Sequence, residues 1–152
     1  MIAVDTNLLV YAHRRGAPFH GEAVAAVRKA AEGKSAWAIP WPCIHEFLAI
    51  VTHPRIYDPP STWEQALAQV DAWLASPSLR TLGEGTAYLP HLTDAVRTAR
   101  ATGGAVHDAR IAALCRYHGV RVLWSADRDF SRYPELRVEN PLIPQGDSPS
   151  EA

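Results

Sequence analysis

The sequence predicts an α/β fold, a three-layer α/β/α domain with a central parallel sheet of four to five strands. The first sign is the opening run at 2–5, which is apolar with no polar alternation, as in strands covered on both faces. The second is the alternation of strand-like and helix-like segments along the chain, which is typical of parallel sheets. Because no linker composition interrupts this order, residues 1–142 are expected to form one domain.

The first half of the chain carries clear helix boundaries. After the opening strand, Val24 and Val27 recur at helical spacing, and Gly33 follows that helix. Pro42 suits a first helical position, and His53-Pro54 stops the helix that it starts. The expected elements are a strand at 2–5, helices at 6–13 and 19–31, a strand at 36–39 and a helix at 42–52.

The second half repeats the pattern. The turn at 58–62 ends in a capping residue, Gly103-Gly104 separates two helices, and Gly119 closes the second of them. Beyond Asn140 the chain is rich in Pro, Gly and Ser, which predicts a disordered tail over 143–152. The expected elements are a helix at 63–74, a strand at 79–82, helices at 86–101 and 106–118, and strands at 120–124 and 136–138.

Composition excludes several classes of protein. The chain has 152 residues, 47% apolar and 20% charged, as in an ordinary soluble globule. No apolar stretch reaches the roughly 18 residues that span a membrane, and the amino terminus resembles a strand more than a signal peptide. A net charge of −1 excludes a generally basic protein that coats nucleic acid, although not a local basic patch. Cys43 and Cys115 lie in helix-like apolar stretches, which favours buried free thiols and a reducing cytoplasm.

Four acidic residues stand where a core should be apolar: Asp5, Glu46, Asp108 and Asp127. Burying an unpaired carboxylate is costly, so such groups are neutralised, paired or bound to a metal. Asp5 and Asp127 each follow a predicted strand, and the carboxyl ends of parallel strands form the usual site of such sheets. Oxygen ligands of this kind suit Mg²⁺ or Mn²⁺, and such ions can assist phosphoryl displacement.

Each acid also has a structural alternative. Asp5 could cap the first helix, Glu46 could be a partly exposed helix residue, and Asp108 could offset a helix dipole. Asp127 could serve a turn in which Ser125 is the more natural cap. Asp129 lies two residues further on and, on a helical turn, would face another way, so it is a substitute or supporting residue.

The motifs that carry these acids resemble the PIN domain and, more narrowly, VapC toxins of type II toxin–antitoxin pairs. The resemblance covers residues 1 to about 142. It rests on four motifs in this order: Asp5-Thr6-Asn7 with Tyr11, then Glu46, then His107-Asp108-Ala109-Arg110-Ile111-Ala112-Ala113-Leu114, then Ser125-Ala126-Asp127-Arg128-Asp129-Phe130.

This resemblance implies a Mg²⁺- or Mn²⁺-dependent ribonuclease that is neutralised by a small antitoxin and is usually dimeric. Asp5 and Asp108 would be the main metal ligands. Glu46 and Asp127 would complete the acidic site and orient the attacking water. Supporting positions would be Thr6, Asn7, Ser125 and Asp129.

Contacts to RNA phosphates are expected from arginines near the acids, namely Arg14, Arg15, Arg128 and Arg132, each of which could equally be a solvated surface residue. The histidines do not match a zinc motif, and the five tryptophans are expected in the core or in an interface.

Alternative functions predict different residues at these positions. A haloacid-dehalogenase-like phosphotransferase would have a second acid where this chain has Asn7, and it would need a lysine near the site. A receiver domain would need the same lysine, and the only lysines of this chain, Lys29 and Lys34, lie on or just after the second predicted helix. A catalytically weak PIN fold that binds or processes RNA without an antitoxin predicts the loss of at least one acid, and all four are present.

Overall fold

A five-stranded parallel sheet forms the centre of the computed structural model, which describes residues 1–144. Its strands are β1 (Ile2–Val4), β2 (Trp37–Pro40), β3 (Leu79–Leu82), β4 (Val122–Trp124) and β5 (Arg137–Glu139). They lie in the order β3-β2-β1-β4-β5, and every neighbouring pair is parallel. The predicted α/β class and parallel sheet are confirmed.

Within residues 1–144, six α-helices connect the strands and complete a three-layer α/β/α arrangement. The turn before the fourth helix contains the predicted cap, because the Thr62 side chain accepts from the backbone N–H of Gln65 while the Gln65 side chain accepts from that of Thr62. The helices are α1 (Thr6–His13), α2 (His20–Glu32), α3 (Trp41–Val51), α4 (Trp63–Leu74), α5 (Leu89–Ala99) and α6 (Ala105–Tyr117), with a 3₁₀ helix at Arg128–Arg132.

The strand order places a topological switch point between β1 and β4. The chain extends the sheet from β1 through β2 to β3, then crosses back and adds β4 on the other side of β1. Val4 pairs with Trp124, and the backbone N–H of Asp5 donates to the carbonyl of Trp124 at 2.9 Å. The residues that follow β1 and β4 are therefore neighbours, at the position where open parallel sheets bind ligands.

Burial on both faces explains the unbroken apolar strands. Ala3 and Val4 in β1 are completely buried, as is Leu123 in β4. Leu8 and Leu9 of α1 are also completely buried, so the first half of the helix that follows Asp5 is fixed in the core. The site at the strand ends is thus built on rigid elements.

Several helix boundaries differ from the sequence expectation, most of all those of α5, which spans Leu89–Ala99 where 86–101 was predicted. Helix α5 ends at Ala99 because Arg100 adopts a left-handed conformation with φ 49°, well before the glycine pair. Helix α6 begins at Ala105, one residue before the predicted start, and Asp108 lies within its first turn. Gly119, with φ 72°, follows α6 as predicted.

The predicted disordered tail over 143–152 falls, from residue 145 onward, outside the described residues. The predicted domain boundary at 142 stays a prediction. Among the helices described within residues 1–144, none combines the length and apolar character needed to cross a membrane.

Candidate active site

Asp5 lies at the centre of the carboxyl edge of the sheet and is only 4% exposed. It caps α1, because its Oδ1 accepts from the backbone N–H of Thr6 at 2.7 Å. Its Oδ2 accepts from the hydroxyl of Ser125 at 2.7 Å. Longer contacts come from the Cys43 thiol at 3.6 Å and the Asn7 amide at 3.4 Å. The capping alternative for Asp5 is therefore correct, but the cap coexists with a position inside the acidic site.

These donors stabilise the charge of Asp5 only in part. Burial raises the pKa of Asp5, hydrogen bonds from Ser125, Thr6 and Cys43 lower it, and the nearby charge of Glu46 raises it further. The net direction is upward. A group that is this buried gains from a cation that would offset its negative charge.

Glu46 acquires a partner that its own helix does not supply. The Thr6 hydroxyl, at the start of α1, donates to Glu46 Oε2 at 2.7 Å across the gap to α3. The backbone N–H of Thr6 simultaneously donates to Asp5. Thr6, itself 5% exposed, therefore holds two of the four predicted acids in fixed relation.

A second group of acids lies on the other side of Asp5. Asp108, Asp127 and Asp129 each offer an oxygen, and these atoms all lie within 4.8 Å of one another. The expectation that Asp129 faces away from Asp127 is wrong. Asp127 is not part of a helical turn but precedes the 3₁₀ helix with extended backbone, and its Oδ1 accepts from the backbone N–H of Asp129 at 2.9 Å.

The pKa of Asp108 reflects the close approach of the other acids. Its pKa is raised from 3.8 to about 6, first by burial and then by the charges of Asp127, Asp5, Asp129 and Glu46. Between residues 1 and 144, none of these five acids takes part in an ion pair with a basic side chain. Clustered carboxylate oxygens without basic partners fit a hard divalent cation.

A polar network joins the end of β4 to α1. The Asn7 side chain accepts from the backbone N–H of Ala126 at 3.1 Å and donates to the Ser125 hydroxyl at 3.2 Å. That hydroxyl also accepts from the backbone N–H of Asp127 at 3.0 Å while it donates to Asp5. Ser125 and Asn7 thus set the position of Asp127 relative to Asp5.

The structure brings some of the predicted arginines to the acids and not others. Arg132 lines a cleft together with Asp108 and Asp129, and Arg128 begins the 3₁₀ helix next to Asp127. Arg14 and Arg15 instead follow the far end of α1, about 12 Å along the helix from Asp5.

Arg14 has structural partners at that far end. Its guanidinium donates to the Ser61 hydroxyl at 3.2 Å and to the Pro59 carbonyl at 2.9 Å, and it lies 4.3 Å from the centre of the Tyr57 ring. Arg14 therefore stabilises the loop before α4 and does not contact the acids.

Sequence reasoning missed an ion pair between Glu84, which follows the end of β3, and Arg110 of α6. Arg110 donates from Nε to Glu84 Oε1 at 2.9 Å, and its Nη2 lies 2.8 Å from the same oxygen. The pKa of Glu84 is lowered by a hydrogen bond from its own backbone N–H, then by Arg110 and more weakly by His45. Only the position of Arg110 within the predicted motif could have indicated a role for it.

Both cysteines are buried, whereas the tryptophans differ from one another in burial. Cys43 and Cys115 are buried free thiols, as predicted. Trp37 and Trp73 are buried in the core, whereas Trp41 and Trp63 are 37% and 67% exposed, so for these two the expected place in an interface stays a prediction. The proximity of Cys43 to Asp5 had no sequence signal beyond its place in the first turn after β2.

Comparison with known proteins gives a family. The family model described as PIN domain matches residues 2–136. Ribonuclease VapC48 of Mycobacterium tuberculosis is 31% identical over 138 residues, which cover 91% of this chain and 95% of that protein. Ribonuclease VapC33 of the same species is 32% identical over 145 residues, covering 93% and 99%.

Solved structures show the same fold. VapBC2 from Rickettsia felis, bound to a DNA fragment from its promoter, matches with a TM-score of 0.66 at 19% identity, covering 92% of this chain and 98% of that chain. Mycobacterium tuberculosis VapC20, a sarcin-ricin loop cleaving toxin, matches with a TM-score of 0.60 at 22% identity, covering 86% and 93%.

Proposed function

The chain belongs to the PIN domain family, and from that premise we propose that it is a divalent-metal-dependent endoribonuclease that acts as the toxin of a toxin–antitoxin pair. The observation that carries the proposal is the convergence of carboxylates at the switch point of the sheet, none of which forms an ion pair within residues 1–144. Relatives named as VapC ribonucleases, aligned over almost their whole length, support the reaction class.

Asp5 and Asp108 would hold Mg²⁺ or Mn²⁺, with Asp127 and Asp129 beside Asp108 as further oxygen donors. Two short hydrogen bonds occupy one lone pair on each Asp5 oxygen, and the remaining lone pairs meet only the long contacts from Cys43 and Asn7. Asp5 therefore keeps coordinating capacity. When bound, such an ion would supply positive charge against the scissile phosphate and would lower the pKa of water.

The chain's own residues would orient the attacking water. Glu46 is held through Oε2 by the Thr6 hydroxyl, which leaves Oε1 able to accept a proton from water. Ser125 and the backbone of Thr6 fix the carboxylate plane of Asp5. Arg132 and Arg128, beside the acids, would contact RNA phosphates.

The partners follow from the family. We propose that RNA is the substrate, that a small cognate antitoxin neutralises the chain, that the chain forms a homodimer, and that it acts in the cytoplasm. The Rickettsia felis relative carries the paired name VapBC2, which supports a two-protein system. Residues 1–142 would form the single catalytic domain.

The test is cleavage of structured RNA by the purified, antitoxin-free protein. Cleavage should require Mg²⁺ or Mn²⁺, stop with EDTA, and disappear in Asp5→Asn and Asp108→Asn. Asp94→Asn is the matched control, because Asp94 is an exposed acid whose partner is Arg116 on the surface of α5 and α6. Full activity in Asp5→Asn, or cleavage that persists in EDTA, would refute the mechanism.

A further inference from the structure

A second cleft, lined by basic and polar side chains, lies at the carboxyl-terminal end of α1. It has a volume of about 460 Å³ and lies between that helix end and the start of α4. The length of α1, about 12 Å, separates it from Asp5. Its lining, in which the described residues include no acid, consists of His13, Arg14, Arg15, Gly16, Ser61 and Gln65. The cleft is therefore separate from the acidic site.

Arg14 is fixed in this cleft by neutral groups. Its Nη1 donates to Ser61 Oγ at 3.2 Å, its Nη2 donates to the Pro59 carbonyl at 2.9 Å, and its Cζ lies 4.3 Å from the centre of the Tyr57 ring. Across residues 1–144 no carboxylate forms an ion pair with this guanidinium. Arg14 is thus held in one orientation while its positive charge stays uncompensated.

Ser61 and His13 form the wall that holds Arg14. Ser61 is 6% exposed, and its Oγ lies 2.9 Å from His13 Nε2, while His13 Nδ1 lies 3.2 Å from Gln69 Oε1. Burial, more than the opposing hydrogen bond to Gln69, lowers the pKa of His13 below its usual 6.5, so the ring is neutral at pH 7. An amide oxygen only accepts, so Nδ1 carries the ring proton and Nε2 accepts from the Ser61 hydroxyl. That hydroxyl is therefore committed to His13 and Arg14 and is not a donor to a ligand.

Other groups keep free donors at the cleft. Arg15 is exposed, and its side chain forms no ion pair or hydrogen bond with the rest of the described chain. Gln65 accepts through Oε1 from the backbone N–H of Thr62, which leaves the two hydrogens of its Nε2 for another acceptor. Two guanidinium groups and one amide thus line the same cleft with donors.

This lining matches a phosphate group. Two positive charges that line one cleft repel each other, and an anion between them removes that repulsion. Guanidinium groups match phosphate oxygens in geometry and form charge-assisted hydrogen bonds with them. A phosphate dianion balances both arginines, whereas a carboxylate or a phosphodiester carries a single charge. Since a water molecule takes about 30 Å³ of liquid, the cleft has room for phosphate together with a small group that carries it.

We propose that the cleft at the end of α1 binds a phosphate dianion, as inorganic phosphate or as the monoester group of a small phosphorylated molecule. Arg14 and Arg15 would bind its oxygens, and the Gln65 amide would be the third donor. The bound anion would connect the loop after α1 to the first turn of α4. The proposal goes beyond the ribonuclease function and does not rest on it, because this site uses neither the acids nor RNA.

The test is a titration of the metal-free, ¹⁵N-labelled protein in EDTA, at constant ionic strength and slightly alkaline pH, followed through the NMR signals of arginine Nε–H groups. Inorganic phosphate and ribose 5-phosphate should both shift the signals of Arg14 and Arg15 until they saturate. The one that binds more tightly identifies the natural form of the ligand. Dimethyl phosphate, which carries a single charge, should bind at least about tenfold more weakly.

Arg15→Gln is the decisive variant, because it removes an exposed side chain that has no partner in the described chain and so should leave Tm unchanged. It should weaken phosphate binding by about 10- to 100-fold, and Arg15→Lys, which keeps the charge, should bind with intermediate affinity. Arg14→Gln should weaken binding as well, but it also loses the contacts to the loop before α4 and should lower Tm. Arg28→Gln is the matched control, because Arg28 is an exposed arginine of α2 beside Glu32.

Four results would overturn the proposal. They are unchanged phosphate affinity in Arg15→Gln, an equal loss in Arg28→Gln, equal affinity of the wild type for dimethyl phosphate, and loss of binding in Arg132→Gln, which would place the anion beside the acids. Neither RNA nor metal enters the titration. A negative result therefore leaves the ribonuclease proposal standing, and a protein without RNA cleavage could still bind phosphate here.

Discussion

The Ser125 hydroxyl donates a 2.7 Å hydrogen bond to Oδ2 of Asp5, and so joins the ends of β4 and β1 at the switch point. Both side chains are almost completely buried. Removal of the donor would leave one carboxylate oxygen with only a long contact from Asn7. The bond therefore couples the position of a proposed metal ligand to the fold itself.

Ser125→Ala should lower the cleavage rate and the affinity for Mn²⁺ by about 10- to 100-fold, the range for residues that orient metal ligands. Ser125→Thr keeps the hydroxyl and should retain most activity. Initial cleavage rates and calorimetric titration with Mn²⁺ would measure the two effects. Ser35→Ala, in an exposed loop before β2, is the control and should change neither. Wild-type metal affinity in Ser125→Ala would contradict a role for this bond.

Thr6→Val should impair cleavage through Glu46, because it removes the hydroxyl that holds Oε2 but keeps the side-chain volume. The backbone bond from residue 6 to Asp5 survives this change. In a double-mutant cycle, Thr6→Val should therefore slow cleavage strongly in the wild type and little further in Glu46→Gln. Independent, multiplying losses would show that Thr6 acts on something other than Glu46.

Much of this molecule could be predicted from local sequence signals. The apolar run at the amino terminus located β1, and the alternation of strand-like and helix-like segments located the other strands. Residues such as Thr62 and Gly119 located helix ends, because capping depends on the nearest few residues. The four predicted acids also followed from the sequence, since a carboxylate inside an apolar run is anomalous wherever the chain folds.

The remaining features depend on contacts between distant segments or on local backbone geometry. The partner of Glu46 is Thr6 on another helix, which helical periodicity within α3 does not reveal. Asp129 joins the acids because Asp127 caps a 3₁₀ helix with extended backbone, where the assumption of a regular helical turn fails. Arg14 was misplaced because the length of α1 carries it away from the site.

Asp127→Asn and Asp129→Asn should each weaken Mn²⁺ binding several-fold, because each removes one charged oxygen donor near Asp108. Asparagine caps as well as aspartate, so Asp127→Asn should keep the hydrogen bond to residue 129 and the thermal stability. Calorimetry and thermal unfolding would separate the two properties. If Asp129→Asn bound Mn²⁺ like the wild type, the ligand set would end at Asp127.

The raised pKa of Asp108 predicts opposite pH effects with and without metal. Its folded pKa of about 6 exceeds the ordinary 3.8, so between these values the metal-free folded state holds the proton more tightly than the unfolded state. Metal-free stability should therefore fall as pH rises from about 4 through 6, and then stay low. Since Asp108 is half-buried and screened by solvent, the loss should be on the order of 1 kcal/mol, or about 2–4 °C in Tm.

Asp108→Asn isolates this contribution. Without metal, the variant should be more stable than the wild type at pH 7 and equal to it near pH 4, as measured by thermal unfolding in EDTA. With saturating Mn²⁺ at pH 7 the order should reverse, because ion binding stabilises only the protein that keeps the ligand. The wild type's apparent affinity for Mn²⁺ should fall up to about tenfold for each pH unit below 6, as protons compete at Asp108. If the stability of the wild type in EDTA rose from pH 4 to 7 while that of Asp108→Asn stayed flat, the pKa of Asp108 would not be raised in the folded protein, and the prediction would be wrong.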